Sequence, residues 1–463
     1  MPFTKHDSRW QSDPQTPAAN LQAGWQEVLA HLPAELESRA RDEKAFVRAR
    51  KLSCAADLLR GLLAYVFGLS TFRQVGVWAT VSGLSTMGER AWAKHMRKAQ
   101  SWLWWVLTAL LLQAESHRPA EPVSRPILLV DASHLKEPGK SGKSWRIHLS
   151  YDLVAARMQE VKLSEQKAEN LQLFTPVKGA IRVADRGYCK REPIAASIQA
   201  REDVVVRLAW SSLPLETPDG SAFDIGAYLK GVQSQQKLFE EPVCIQTTPG
   251  RFALRLIGKR VSPEAAARER RARKIKAQQK GQQLQATTLL LCDWIVVVTS
   301  LPACDWPASE VLWLYRARWQ IELLFKRIKQ LLQRHALQSH HAQSNQAVLA
   351  VLLIGWALVE EQAGALKVAL QEDPAFDCAE QEQAKHPVSS WQVAATLVHS
   401  LRSMILGAWT WQQVVQAAKD LAHLLTIPPQ DRLHYESTLR QHFAVDPPGG
   451  LHASCSVVKV PGS

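Results

Sequence analysis

The chain has 463 residues, 46% of them hydrophobic and 21% charged, which suits a folded protein of roughly two to four domains and excludes a fibrous or wholly disordered one. Lys and Arg number 56 against 43 Asp and Glu, and the net charge of +13 points to a polyanionic partner, nucleic acid first. Seven cysteines without a C-x-x-C pair argue against a disulfide framework or a structural zinc site.

Residues 1–24 are polar and rich in Pro and Gln, and are expected to be poorly ordered. They carry no apolar signal core. The apolar runs Leu103–Leu112 and Ala347–Val359 read as too short or too interrupted to span a bilayer, so a soluble cytoplasmic protein with no membrane partner is expected. Residues 25–120 form a helical region. Leu58, Leu59, Leu62, Leu63 and Val66 make one stripe, and Thr71 offers a cap to a second helix. A Ser-Gly turn follows, then a segment with Arg90, Lys94, Arg97 and Lys98 at helical spacing. A short helix, a turn and a basic helix resemble a helix-turn-helix able to enter a major groove, with an ordinary helical bundle as the alternative.

At Pro126 the pattern changes. Ile127–Val130 is a short buried run that ends on Asp131, and two alternating segments, Trp145–Leu153 and Met158–Leu163, follow a Lys/Gly-rich turn as its antiparallel partners. Gly179–Ala184 is a second apolar strand, which delivers Asp185 beside a glycine; a helix over Glu192–Ala200 and a strand over Asp203–Leu208 come next. Polar groups collect at the open edge of such a sheet. A single Asp closing a strand is more often a turn residue than a ligand.

The helical run from Tyr315 supplies a third acid. At 100° per residue Tyr315, Arg318, Glu322 and Lys329 fall within roughly a 60° arc, while Leu314, Ile321, Leu324, Phe325 and Ile328 centre about 110° away. A Glu among cations suits a carboxylate that stays ionised, holds a hard divalent cation and sits beside phosphates. Alone, that stripe would read as a solvated charged face.

Asp131 in Val-Asp-Ala-Ser, Asp185 in Ala-Asp-Arg-Gly-Tyr and the Tyr-x2-Arg-x3-Glu-x6-Lys spacing together are similar to the DDE transposases of the fourth insertion-sequence family. The resemblance covers about residues 30–340. It implies an α/β fold: a ribonuclease-H-like core over 121–210 and 305–340, a mixed sheet flanked by helices and interrupted by a mainly β insertion at 211–304. A helical C-terminal region at 341–445 and a flexible tail at 446–463 would complete the chain. The resemblance also implies Asp131, Asp185 and Glu322 as catalytic metal ligands for two Mg²⁺, with Mn²⁺ as a substitute, and Tyr315, Arg318 and Lys329 as phosphate contacts. Partners would be inverted-repeat transposon ends and target DNA, with a dimer in the synaptic complex, in a bacterial, nucleoid-associated setting. Trp294 matches the position of a base-stacking tryptophan in members that form a hairpin intermediate, with a plain core aromatic as the alternative in a chain of 17 tryptophans.

About 137 residues separate Asp185 from Glu322, which agrees with an insertion. Within it, strands are expected over Val243–Thr247, Phe252–Ile257 and Asp293–Ser300. Arg268, Arg270, Arg271, Arg273, Lys274, Lys276 and Lys280 form a basic run that could follow a DNA backbone or simply be solvated. His148 is placed either near the metals or in a structural role. Many relatives carry a Gly-Glu pair where this chain has Ala168-Glu169, so Glu169 receives no catalytic assignment. After His341 helices return over Ala347–Val359, Trp391–Leu401 and Leu406–Ala418. The functional expectation is metal-dependent cleavage and strand transfer at transposon ends. The alternatives are a catalytically silent end-binding protein or a structure-selective nuclease.

Overall fold

The computed structural model describes residues 17–69, 71–116, 125–136, 144–164, 169–232, 235–331, 341–371, 390–408, 410 and 412–413. Residues 1–16, the Lys140–Lys143 turn, most of Leu406–Ala418 and the expected flexible tail lie outside them. The first described helix begins at Pro17.

Six helices come first: α1 (Pro17–Ala30), α2 (Leu36–Asp42), α3 (Ala55–Phe67), α4 (Phe72–Val81), α5 (Glu89–Lys98) and α6 (Gln100–Ser116). The sheet region runs β1 (Ile127–Lys136), β2 (Ser144–Asp152), β3 (Arg157–Ser164), β4 (Ile181–Ala184), α7 (Arg191–Gln199), β5 (Asp203–Arg207), β6 (Leu215–Glu216), β7 (Ala222–Phe223) and α8 (Ile225–Gly231). It continues with β8 (Leu238–Thr247), β9 (Gly250–Arg260), α9 (Pro263–Gln279), α10 (Ala286–Leu290) and β10 (Trp294–Thr299). Four helices close the described chain: α11 (Ala308–Ala317), α12 (Trp319–Leu331), α13 (Ala342–Gln371) and α14 (Ser390–Leu406).

These elements form two compact units. One takes the N-terminal helices, residues 134–145 and the chain from Leu324 to Tyr435, so the helical regions at the two ends of the sequence share one core. There α13 packs on α3, α5, α6 and α14, and α1 packs on α14. The stripe Leu58, Leu59, Leu62, Leu63 and Val66 is buried. A Cβ at Gly61 would lie 2.1 Å from the Trp92 ring, so α3 and α5 meet as closely as glycine allows. Thr71 caps α4 in a capping box with Gln74, a device worth about 1 kcal/mol. The expected short helix, turn and basic helix are present as α4 and α5, with Trp92 and Met96 buried beneath the basic face.

The bilayer reading needs a correction. Helix α13 has 30 residues, and Ala342–Ala363 is long and apolar enough to cross a membrane by length and composition. Isolated polar residues had made the run look interrupted, whereas 67% of this stretch is buried inside the protein, as in the central helix of a bundle.

The other unit is built on a ten-stranded mixed sheet in the order β3-β2-β1-β4-β5-β10-β9-β8-β6-β7. Strand β1 is parallel to β4, and β4 to β5. These central strands are apolar runs apart from Arg182 of β4, whose charge is buried against Glu202, as suits strands covered on both faces. β10 joins β5 antiparallel, and β9 and β8 extend the sheet from there. The strands expected in the insertion therefore continue the catalytic sheet by direct pairing. They also run longer than their apolar cores predict, because the β8–β9 hairpin is paired from Leu238↔Lys259 to Thr247↔Gly250. Helix α7 packs on β5 and β8, and α11 on β4, β5, β9 and β10. A mixed sheet flanked by helices is consistent with a ribonuclease-H-like core.

Candidate active site

Strand register brings the acids together. The last paired residues of β1 and β4 are Val130↔Ala184, and those of β4 and β5 are Ala184↔Val206. Asp131, Asp185 and Arg207 are the next residues on three adjacent parallel strands. They occupy one row at the carboxyl edge, where ligands of open α/β sheets are bound. Asp131 does not close its strand, as the apolar run suggested; β1 continues to Lys136, and only its pairing with β4 stops at Val130.

The third acid arrives on helices, but not on one continuous helix. α11 ends at Ala317, Arg318 is its cap, and α12 starts at Trp319. The four-residue stripe computed for an unbroken helix is thus divided at Arg318. Glu322 sits in the first turn of α12, where the helix dipole favours a carboxylate.

Arg318 reaches two of the three acids. Its Nη2 donates to Glu322 Oε1 at 2.5 Å, and its Nη1 lies 3.8 Å from Asp131 Oδ2. The Tyr315 hydroxyl donates to Asp185 Oδ1 at 3.2 Å. Burial pushes the Asp131 carboxyl up to about 6, with Glu322 and Asp185 adding to the rise against the Ala132 amide and Arg318. Burial acts on Asp185 in the same direction, yet Arg318, the Arg186 amide and Arg207 outweigh it and hold this carboxyl below its ordinary range. Burial disfavours the Arg318 cation, but Tyr315, Asp185 and Glu322 prevail and keep it firmly charged. Burial raises and Arg318 lowers both aspartates; burial prevails at Asp131 and the cations and donors prevail at Asp185.

The donor set suits a divalent cation of the hard class: carboxylate oxygens only, partly withdrawn from water, on rigid strand and helix ends. Among the described residues no three such groups are drawn together closely enough to hold an ion as they stand. The Arg318 guanidinium lies among them.

Other expected residues fall elsewhere. Lys329 belongs to the helical unit, where its Nζ lies 3.5 Å from the His134 carbonyl oxygen and burial lowers its pKa. Trp294 is 4% exposed; the Phe239 ring meets it edge-on at 5.1 Å and the Arg260 guanidinium covers it at 4.4 Å. The indole expected to stack on a base is a core ring, and base stacking would require its release. The basic run is helix α9. Arg271 and Lys274 are exposed there, while Arg273 is half-buried and pairs with Glu269 at 2.8 Å. Arg270 is taken by Asp293. His148 is fully buried, and its Nε2 lies 2.9 Å from the Ser164 hydroxyl, which is a structural role.

Sequence reasoning missed Arg186 and Arg207. Burial, then the charges of Arg207 and Arg273, lower the Arg186 pKa, against Asp185 and Glu269. The signal was present for Arg207, since it follows Val204–Val206 as Asp131 and Asp185 follow their own apolar runs.

Two strand-edge aspartates and a helical glutamate thus form an acidic cluster around Arg318 at the carboxyl edge of the sheet. Residues 123–358 match the family described as Transposase DDE domain. The chain is 32% identical over 347 residues to the transposase for insertion sequence element IS421 of Escherichia coli, covering 73% of this chain and 93% of that protein. It is also 32% identical over 346 residues to the putative transposase InsL for insertion sequence element IS186A of Escherichia coli (strain K12), with the same coverage. The chain belongs to the DDE transposases of insertion sequences.

Proposed function

We propose that this protein binds the inverted-repeat ends of its own insertion sequence, cuts there, and joins the freed ends to target DNA. The observation that carries the reading is the register that sets Asp131 beside Asp185, with Arg318 between Asp131 and Glu322 and its charge acting on Asp185. Asp131, Asp185 and Glu322 would hold two Mg²⁺, or Mn²⁺ in its place. Bound there, the cations supply activation of a water or 3′-hydroxyl and charge stabilisation at the leaving oxygen. The side chains do the rest. Tyr315 orients the Asp185 carboxylate through its hydroxyl, and Arg318 exchanges its carboxylate partners for a DNA phosphate. Lys329 contributes a further phosphate contact. On α9, Arg271, Arg273 and Lys274 follow the backbone, so end binding weakens steeply with salt. Two copies act together when the ends are synapsed.

The test is incubation of the protein with Mg²⁺ and DNA bearing the element's ends. Joined products are expected. Cuts without joining would favour a nuclease, and a bound but uncut substrate would overturn the enzymatic reading. An Asp185→Ala variant that still cuts would overturn the assignment of the acids.

A further inference from the structure

The turn that presents Asp185 is braced from outside the three acids. It is a single 3-10 turn, Arg186–Tyr188, capped by Asp185, and Gly187 is its central residue. An ideal Cβ built on Gly187 would lie 1.4 Å from Oε2 of Glu169 and 2.6 Å from its carboxyl carbon. The Glu169 carboxylate therefore rests directly on the glycine backbone, and glycine is needed for space. A surface glutamate would swing aside from a methyl group at little cost. Glu169 is held, because Arg146 of β2 donates from Nη1 to its Oε1 at 2.7 Å and the two side chains are only 12% and 22% exposed.

The neighbourhood is dense with acids. Asp185 is close enough to Glu169 to oppose its ionisation, after burial. The Tyr188 ring is fully buried one residue past Gly187, and its hydroxyl has no hydrogen-bond partner among the described residues. Within the turn the Tyr188 amide donates to the Asp185 carbonyl at 3.0 Å, the Cys189 amide to the Arg186 carbonyl at 3.1 Å and the Lys190 amide to the Tyr188 carbonyl at 2.9 Å. Glu169 adds a contact from outside the turn, on its central residue.

We infer that Glu169, anchored by Arg146 and seated on Gly187, is a positioning residue that holds the Asp185 turn in the geometry needed to bind a divalent cation. It acts by shape and hydrogen bonding and is not itself a ligand. The inference rests on the proposed metal-centre reading, and the experiment separates the two. Mn²⁺ binding to the full-length, DNA-free protein is titrated by electron paramagnetic resonance, with Asp185→Ala as the reference.

Glu169→Ala and Gly187→Ala are each expected to weaken Mn²⁺ binding about tenfold, a difference of about 1.4 kcal/mol. The double variant is expected to be no weaker than either single, because both changes remove one contact. Glu169→Gln, which keeps the shape and a hydrogen bond to Arg146, is expected to bind within about twofold of wild type, a change of about 0.4 kcal/mol. Additive losses in the double variant, or Glu169→Ala binding like wild type, would overturn the brace. A Glu169→Gln variant as weak as Glu169→Ala would overturn it too, by showing that the charge acts directly. If Asp185→Ala itself binds Mn²⁺ normally, the metal-centre reading fails instead. Thermal midpoints within a few degrees of wild type establish that the variants are folded.

Discussion

Replacing Glu202 by Leu removes half of the most deeply buried ion pair in the sheet unit. Arg182, on β4 three residues before Asp185, is 1% exposed, and Glu202 is 2–3% exposed. The guanidinium donates to both carboxylate oxygens, from Nε at 3.1 Å and from Nη2, and Nη2 also reaches the Thr175 carbonyl at 3.0 Å. Glu202 in turn accepts the Val177 amide at 2.7 Å, and the Phe174 ring lies 5.6 Å from the cation. At about 3 Å and an effective dielectric near 20, the Coulomb attraction is about 5 kcal/mol. Desolvation offsets much of this in the intact pair, but a lone partner keeps the desolvation without the attraction. Glu202→Leu is therefore expected to cost about 4 kcal/mol, including an orphaned Val177 amide. Arg182→Met combined with Glu202→Leu is expected to cost only about 1–2 kcal/mol. The assay is urea unfolding, followed by hydrogen exchange at the β4 amides Ile181–Ala184. A single substitution costing under about 1 kcal/mol, or losses that simply add in the pair, would refute the reasoning.

Asp131 titrates near 6 in the metal-free protein, above the ordinary aspartate range, so its contribution to stability is present below about pH 4 and is lost as the pH rises through 6. Asp131→Asn should accordingly stabilise the metal-free protein at pH 8 by up to about 3 kcal/mol while abolishing cleavage; a lower thermal midpoint than wild type would count against this account. Arg318 already neutralises the acids, so Arg318→Ala should bind Mn²⁺ about tenfold more tightly in the absence of DNA and yet lose end cleavage. Unchanged or weaker Mn²⁺ binding in that variant would show that Arg318 does not compete for the site.

The acids were legible because each chemical group stands at a change of local pattern. Asp131 and Asp185 follow apolar runs, and Glu322 lies in a spaced signature. Trp294 was legible only as a position in a strand. Whether an indole faces a base or a core depends on partners such as Phe239 and Arg260, which are 55 and 34 residues away. Glu169 received no assignment because Ala168 stands where many relatives have glycine, and its surroundings are equally invisible in the sequence. Its importance lies in a contact with Gly187 and a bond to Arg146, neither of which is near it in the chain.

By itself the sequence determined which residue types the site contains, the order in which strands and helices deliver them, and the family to which the chain belongs. Those properties are carried by short-range patterns of polarity and by spacing along the chain. Tertiary structure alone decided that the insertion strands extend the central sheet through β10, that the two terminal helical regions share one core, and that the helical run from Tyr315 to Lys329 breaks at Arg318. Pairing register, burial and the routing of a guanidinium between three carboxylates arise from contacts between residues far apart in the chain. No local pattern encodes them.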